Sequence, residues 1–509
     1  MRIKRKRRSL AKRWHRWPGV ILSLFLILYS VSGIVMNHRS SVSGIDISRG
    51  LLPDKYSIDN WNNASVKGAI NFTDSVSVVY GGIGVWITYD CYNSFVDFNQ
   101  GIPSGADNRN ITCLNYSDSD NLYAGTKFGL YRYSKERKQW VTLDIPSEEK
   151  RIEGVTSVND SLWVMTRSSV LVAKESDLRF NKIELKAPEG YKNDISLFRT
   201  LWFIHSGELF GTLGKLFVDF LGIVVIILSI TGILYMFMPG LMRRRKAKNS
   251  SNNVSKKIFT KSVKWHRVVG VVCALFLFIL TLTGMFLRPP LLIPIANTDV
   301  QRLKYTHLHN DNAWFLKLRG IHYDKINSRF ILLTNAGIYY TNKEMTSVPV
   351  KFDSQPPFSV MGINVFRQMS DNEFIVGSFS GLFLWNTESG LVFDYIKRTP
   401  HREIEKKGPP ISENMISGYI VNGQREFIFD YAKGGITKSN FGVVPDVIKQ
   451  QGMPLWNVAL EVHTGRIFEP VLGMFYILYI PLTGLLTLVL ILTGAYIWIK
   501  KRIKSNRRR

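Results

Sequence analysis

The chain has 509 residues, long enough for two or more folding units, and carries 66 Lys+Arg against 39 Asp+Glu with 45% hydrophobic residues. Its formal net charge of +27 would suit a nucleic-acid binder if the excess were spread. Instead, residues 1–17, 243–267 and 500–509 hold nine, ten and seven basic residues and no Asp or Glu, and the remainder is close to neutral, which excludes nucleic acid as the partner.

In chain order, the first basic segment runs into "WPGVILSLFLILYSVSGIVM", the first of four apolar stretches: Pro18–Met36, Val218–Met238, Val268–Leu287 and Val471–Ile499. Each reaches the ~20 residues that cross ~30 Å of hydrocarbon. The basic segments all flank these stretches, the pattern of cytoplasmic ends and loops, so both termini are expected inside and the two long segments outside. A cleavable signal peptide is the rival reading of the N-terminus, since "YSVSG" resembles a cleavage site. Against it, the apolar run is longer than a usual signal core and repeats later in register. Trp14-His15-Arg16 returns as Trp265-His266-Arg267, Gly19 as Gly270 and Gly33 as Gly284.

The expected boundaries are a basic tail at 1–17, a span at 18–38, an outer β segment at 40–200, and a His phrase with a second span at 201–238. A basic loop at 239–267, a third span at 268–288, a second β segment at 289–455, a His phrase with a fourth span at 456–499 and a basic tail at 500–509 follow. The two halves are thus parallel repeats, whose His phrases read "FIHSGELFGTLGK" and "EVHTGRIFEPVLGM", and whose second and fourth spans both carry Thr-Gly late, at Thr231-Gly232 and Thr493-Gly494. The outer segments repeat a strand, a tight turn and a strand around Gly84, Gly129, Ser169, Gly337, Gly381 and Gly435. Spacings of 40 to 54 residues within a half suit propeller blades, three per half; two independent β domains are the alternative. Cys91 and Cys113 share an outer segment and could form a disulfide in an oxidising compartment.

Five of the nine histidines lie at or near span ends: His15, His38, His205, His266 and His463. His15 and His38 are ~35 Å apart along a helix, hence at opposite faces of a bilayer. His15 and His266 are repeat mates at the cytoplasmic face, and His205 and His463 at the outer face, where His38 joins them without a mate. Imidazoles from facing helices saturate a haem iron and give a centre suited to passing electrons. Arg16 and Arg267 could pair with haem propionates or act as membrane-edge anchors, as interfacial His, Trp and Arg often do. His205 and His463 precede their apolar cores by about a dozen residues, so a broken helix is needed there; Pro481 is the expected breaker.

The phrases "WHRWPGVILSLFLILYSVSG", "HSGELFGTLGK…SITG" and "HTGRIFEPVLG…LTGAYIWIKK" resemble the PepSY-associated transmembrane family of bacterial inner-membrane proteins. The resemblance implies haem-containing reduction of ferric siderophores in the periplasm, with His15, His266, His205 and His463 falling on the family's span-associated histidines. No PepSY module is visible in the outer segments, which leaves the acceptor open. The expectation is a four-helix membrane protein of two parallel repeats with a periplasmic all-β, propeller-like domain. It would hold haem b, two groups per chain, and reduce a ferric chelate with electrons from quinol or a cytoplasmic reductase. No Gly-rich dinucleotide fingerprint occurs in the cytoplasmic segments, so the donor is external. The rival is a sensor or scaffold whose spans only anchor the outer domain.

Overall fold

The structure, a computed structural model, describes residues 10–359, 361–401, 412–437 and 440–507. It divides into two compact units, one of Met1–Val42, Asn193–Asn310 and Trp456–Arg509, the other of Ser43–Lys192 and Asp311–Leu455.

The first unit is helical. Its principal helices are α1 (Leu10–Asn37), α2 (Leu197–Ser206), α3 (Gly211–Ala247), α4 (Asn253–Val272), α5 (Ala274–Phe286), α6 (residues 455–463, whose first residue belongs to the other unit) and α7 (Tyr476–Asn506). Three helical stretches, Leu10–Asn37, Glu208–Ala247 and Arg466–Asn506, are long and apolar enough to cross a membrane. The third expected span falls on α4 and α5, which bend by 66° at Cys273 and make a fourth crossing only if the pair is one span. No proline marks that bend; Gly270, a turn earlier, is the nearest residue that weakens a helix. Among the described residues, 10–17 and most of 239–267 are helical, because α1 starts at Leu10, α3 runs to Ala247 and α4 starts at Asn253.

Within this unit α1 packs on α3 and α7, α3 on α4, and α5 on α7 and α2. Leu221, Val224, Cys273 and Leu277 form its buried core. The outward faces stay apolar, with Ile21, Leu24, Leu213, Ile223, Phe237, Leu275 and Leu492 all exposed. Such a surface requires a non-aqueous neighbour, and the helices contact a lipid bilayer.

The second unit is all-β. Six antiparallel meanders follow one another, beginning at Gly68–Asn71, Ile111–Tyr116, Gly154–Val158, Leu318–Asp324, Val365–Gln368 and Ile416–Asn422. Each of the six turn residues singled out in the sequence lies between or at the edge of the second and third strands of its own meander. At the first of these, Gly84 has φ +98°, and a Cβ there would lie 2.3 Å from Asn99 Oδ1, so the turn admits only glycine. Successive meanders share cores: Val78 and Val85 with Trp140, Leu130 with Val164, Trp163 with Phe330, Ile331 with Trp385, and Ile375 with Ile428. A sixth core joins the last meander to the first, with Phe427 and Phe429 against Val79 and Trp86. Burying each such side chain contributes about 1.5–3 kcal/mol, so these shared faces, rather than any single meander, hold the unit together. Cys91 and Cys113 are both free thiols, and burial pushes the Cys113 thiol up to about 11.

Candidate functional site

Four of the five span-associated histidines meet in two pairs inside the helical unit. His15, near the start of α1, lies against His266 of α4 with ring centroids 6.1 Å apart and planes at 80°. His205 of α2 lies against His463 of α6 at 6.0 Å and 60°. The first pair sits on longer helices that contain the repeated Trp-His-Arg phrase, His15 near the start of α1 and His266 toward the end of α4. The second sits on short helices that stop just before the spans. α2 is capped by Ser196, whose hydroxyl accepts the Arg199 amide, and ends at Gly207 in the left-handed conformation. α6 ends before Gly465, also left-handed, and irregular turns through Gly473 lead into α7. The break before the fourth span therefore falls at Gly465–Phe475. Pro481, the expected breaker, lies within continuous α7.

Each ring is held by the same device, supplied by a different helix. His15 Nδ1 donates to Leu490 O at 3.0 Å and lies 3.3 Å from Thr493 Oγ1. His205 Nδ1 donates to Leu280 O at 2.9 Å, with Thr283 Oγ1 at 3.4 Å. His463 Nδ1 donates to Tyr29 O at 3.1 Å, with Ser32 Oγ at 3.0 Å. His266 Nδ1 meets Thr231 Oγ1 at 2.9 Å. The hydroxyls of Ser32, Thr231, Thr283 and Thr493 each donate to the carbonyl four residues earlier, which leaves their lone pairs to receive the imidazole proton.

A glycine follows each hydroxyl residue and lies under the ring it serves. A Cβ on Gly33 would come within 3.4 Å of His463, on Gly232 within 3.6 Å of His266, on Gly494 within 3.0 Å of His15 and on Gly284 within 2.6 Å of His205. Each of the four apolar stretches thus carries a Ser/Thr-Gly step that seats a histidine from elsewhere; the fourth has a second such step, Thr483-Gly484, whose glycine faces Met285 instead. The sequence holds this signal in all four apolar stretches, at Ser32-Gly33, Thr231-Gly232, Thr283-Gly284 and Thr493-Gly494. Only two of the four stood out as Thr-Gly repeats, and the seating role of the hydroxyls was not legible.

The chemistry follows from the proton count. A carbonyl only accepts, so Nδ1 carries hydrogen on His15, His205 and His463, and in a neutral ring Nε2 is then the lone pair. Among the described residues no hydrogen bond is made by Nε2 of His15, His205, His266 or His463. Two imidazoles on opposite sides of one metal, with bonds of about 2 Å, place their ring centroids about 6 Å apart. Spacing, tautomer and a hydrogen-bonded outer shell would therefore suit two imidazoles holding one metal at each site. Among the described residues no group of three or more His, Cys, Asp or Glu could hold a metal ion.

His38 stands apart from the outer pair. Its Nε2 lies 2.7 Å from Asp219 Oδ2, and Asn37 Nδ2 donates to Asp219 Oδ1 at 2.9 Å. The only acidic residue of the second apolar stretch is thus met by the two polar side chains at the end of α1, Asn37 and His38. Arg16 places its Nε 2.6 Å from Met236 Sδ, and Arg267 is exposed.

Comparison with known proteins gives one family. The family described as "PepSY-associated TM region" matches residues 1–238 and 197–501. No curated protein matches. Among solved structures, the extracellular domain of BT4673 from B. thetaiotaomicron is similar at TM-score 0.36 and 8% identity, covering 74% of this chain and 33% of that one. The computationally designed Ika8 protein follows at 0.32 and 8%, covering 74% and 97%. PorZ, a surface component of the type-IX secretion system of Porphyromonas gingivalis, follows at 0.31 and 10%, covering 71% and 37%. The chain therefore spans about a third of the length of the first of these.

Proposed function

The chain belongs to the PepSY-associated TM family, and from that premise we propose that it is a membrane electron-transfer protein holding two b-type haems. His15 and His266 would hold one and His205 and His463 the other. Electrons from an external donor, quinol or a cytoplasmic reductase, would pass outward to a ferric chelate. The observation that carries this reading is the pairing itself: two sets of imidazoles, at 6.1 and 6.0 Å, each fixed through Nδ1 and bare at Nε2.

Haem, when bound, supplies a one-electron Fe(III)/Fe(II) couple. The protein's own residues set its place and its surroundings. Ser32, Thr231, Thr283 and Thr493 lock ring orientation and raise the basicity of the free nitrogen. Their glycines let each ring approach helix backbone. Arg16 and Arg267 add positive charge beside the inner pair for the propionates. Ser32 lies seventeen residues beyond His15 on α1, on the order of 25 Å along the helix, so the two pairs lie toward opposite ends of the span. Reduction lowers the charge on a chelated iron, and hard oxygen donors hold Fe(II) less tightly than Fe(III), so one electron is enough to loosen the metal. In this reading His38 is no ligand but the partner of Asp219.

The same reading takes α4 and α5 as one bent span, giving four crossings, with both termini in the cytoplasm of a bacterial inner membrane. The runs of basic residues beside the spans support that orientation. It also takes the six meanders as blades of one propeller in the periplasm. The support is that each shares a core with the next and the last with the first.

The test is a reduced-minus-oxidised absorbance spectrum of the detergent-purified protein with haem quantitation. Low-spin b-type bands at two haems per chain are expected. Protein that stays haem-free after expression with haem supplied would overturn the proposal.

A further inference from the structure

Two neighbouring meanders of the β unit form an open hollow of about 540 Å³. One wall is the turn at 117–121, between the first two strands of the second meander, where the Ser117 amide donates to Asn121 O at 2.9 Å. The other is Asn159-Asp160, the two-residue turn of the third meander. Both residues take positive φ there, the conformation such hairpins demand and Asn and Asp tolerate. The third strand of the same meander ends beside that turn at Lys174, and the Glu175 amide donates to Asp160 O at 2.8 Å.

Glu175 lines this hollow although it is only 8% exposed. Its Oε2 accepts three hydrogen bonds, from Ser117 Oγ at 2.8 Å, Asn121 Nδ2 at 3.0 Å and Tyr123 Oη at 3.3 Å. All three donors are neutral. Its Oε1 accepts none among the described residues, yet it is not sealed inside protein, so the bare oxygen is the one open to the hollow. The carboxylate of Asp160, also in the lining, takes a single side-chain contact, from Ser119 Oγ at 3.4 Å. Lys174 is the one cation of the lining. Among the described residues none of these three charged groups makes an ion pair.

A buried carboxylate is costly unless a cation or enough donors compensate it. One oxygen of Glu175 is compensated and the other is not, and two carboxylates against one ammonium leave the lining with one negative charge in excess. Both facts point to a cationic occupant. A metal ion is a poor candidate, because among the described residues no group of three or more His, Cys, Asp or Glu could hold one. A quaternary ammonium is no better, because no aromatic side chain lines the hollow to cage it. The rest of the lining is hydroxyl and amide, Ser161, Ser176 and Asn159 among them, which suits a body rich in hydroxyls. We propose that the hollow binds a small hydroxylated primary amine, an amino sugar in class, with its ammonium on Glu175 Oε1 and Asp160. The site does not rest on the proposed electron transfer.

Saturation-transfer NMR titrations on the full-length protein, in a detergent without a sugar headgroup, would compare glucosamine, N-acetylglucosamine and glucose. Glucosamine is expected to bind about tenfold tighter than either neutral sugar, the worth of one charged hydrogen bond. Glu175→Gln and Asp160→Asn should each weaken glucosamine about tenfold and leave glucose unaffected. Thermal melting certifies the fold of each variant. Because Glu175 also fastens Ser117, Asn121 and Tyr123, Asp160→Asn, at an exposed turn, decides the matter if Glu175→Gln fails to fold. Equal affinity for the three sugars, binding of none of them, calcium binding in place of glucosamine, or wild-type affinity in folded Asp160→Asn would overturn the proposal.

Discussion

The inner and outer histidine pairs have the same chemistry and opposite architecture. His15 and His266 are built into long helices, α1 and α4, so their height follows from the helical repeat alone. His205 and His463 ride on two short helices, α2 and α6, and reach their partners because glycines at 207, 211, 465 and 473 take positive φ and interrupt the chain. The comparison teaches that a histidine's position can be written directly into a helix or delegated to a break, while the seat beneath it stays the same. In both pairs a Ser/Thr-Gly step on another span orients the ring.

Replacing one histidine of each pair is the strongest way to break this equivalence. His266→Ala and His463→Ala should each lower the haem content from two per chain to one, read by pyridine haemochrome assay; loss of both haems from either variant would mean the pairs are not independent sites. Next in size are the seating glycines. Gly284→Ala puts a methyl 2.6 Å from the His205 ring, whereas Gly232→Ala leaves 3.6 Å to His266. The outer substitution should cost about 1–3 kcal/mol by overpacking and deplete one haem, and the inner one should be nearly silent in the same assay. Smaller still, Thr231→Ala removes a 2.9 Å contact and Thr283→Ala one of 3.4 Å. With about 1 kcal/mol for a hydrogen bond, the inner centre should lose more haem affinity, read by competition with apomyoglobin.

The last prediction sets a control outside both pairs. Lys67 titrates near 8 in the fold and near 10.4 when unfolded. Between these values the unfolded chain holds more protons, so Lys67 should make stability rise with pH there. Lys67→Arg, which stays charged over this range, should abolish that slope in thermal melts.

Much of this was legible before the structure. Trp14-His15-Arg16 and Trp265-His266-Arg267 share neighbours at one constant offset, and because each phrase lies within a helix, equal sequence implied equal place; the bend at Cys273, past the second phrase, was not legible. The six meander turns were legible because a tight turn demands glycine or a small residue whatever surrounds it. The outer pair was harder: a proline is a visible breaker, yet Pro481 is absorbed in α7 while Gly465 and Gly473 do the breaking. His38 looked like a third outer ligand because distance along a helix says nothing about its direction around the axis; Asp219, 181 positions away, holds it. The cradles were missed because Ser and Thr in a span also serve their own helix, and only the packing shows which of them accept a proton from another chain segment.

The shared cores of the β unit carry a consequence for its making. Its third meander ends at Ile183 and leans on the fourth, which starts at Leu318, while the first leans on the sixth, finished only at Gly435. At about 5–20 residues per second, the early half emerges and then waits on the order of ten seconds for its other half, with the faces of Trp163 and Trp86 still uncovered. Synthesis of α3, α4 and α5 fills that interval. The nascent protein is therefore most vulnerable to aggregation and to proteases midway through its own translation, and two separately expressed halves, meeting through the same faces, should complement each other.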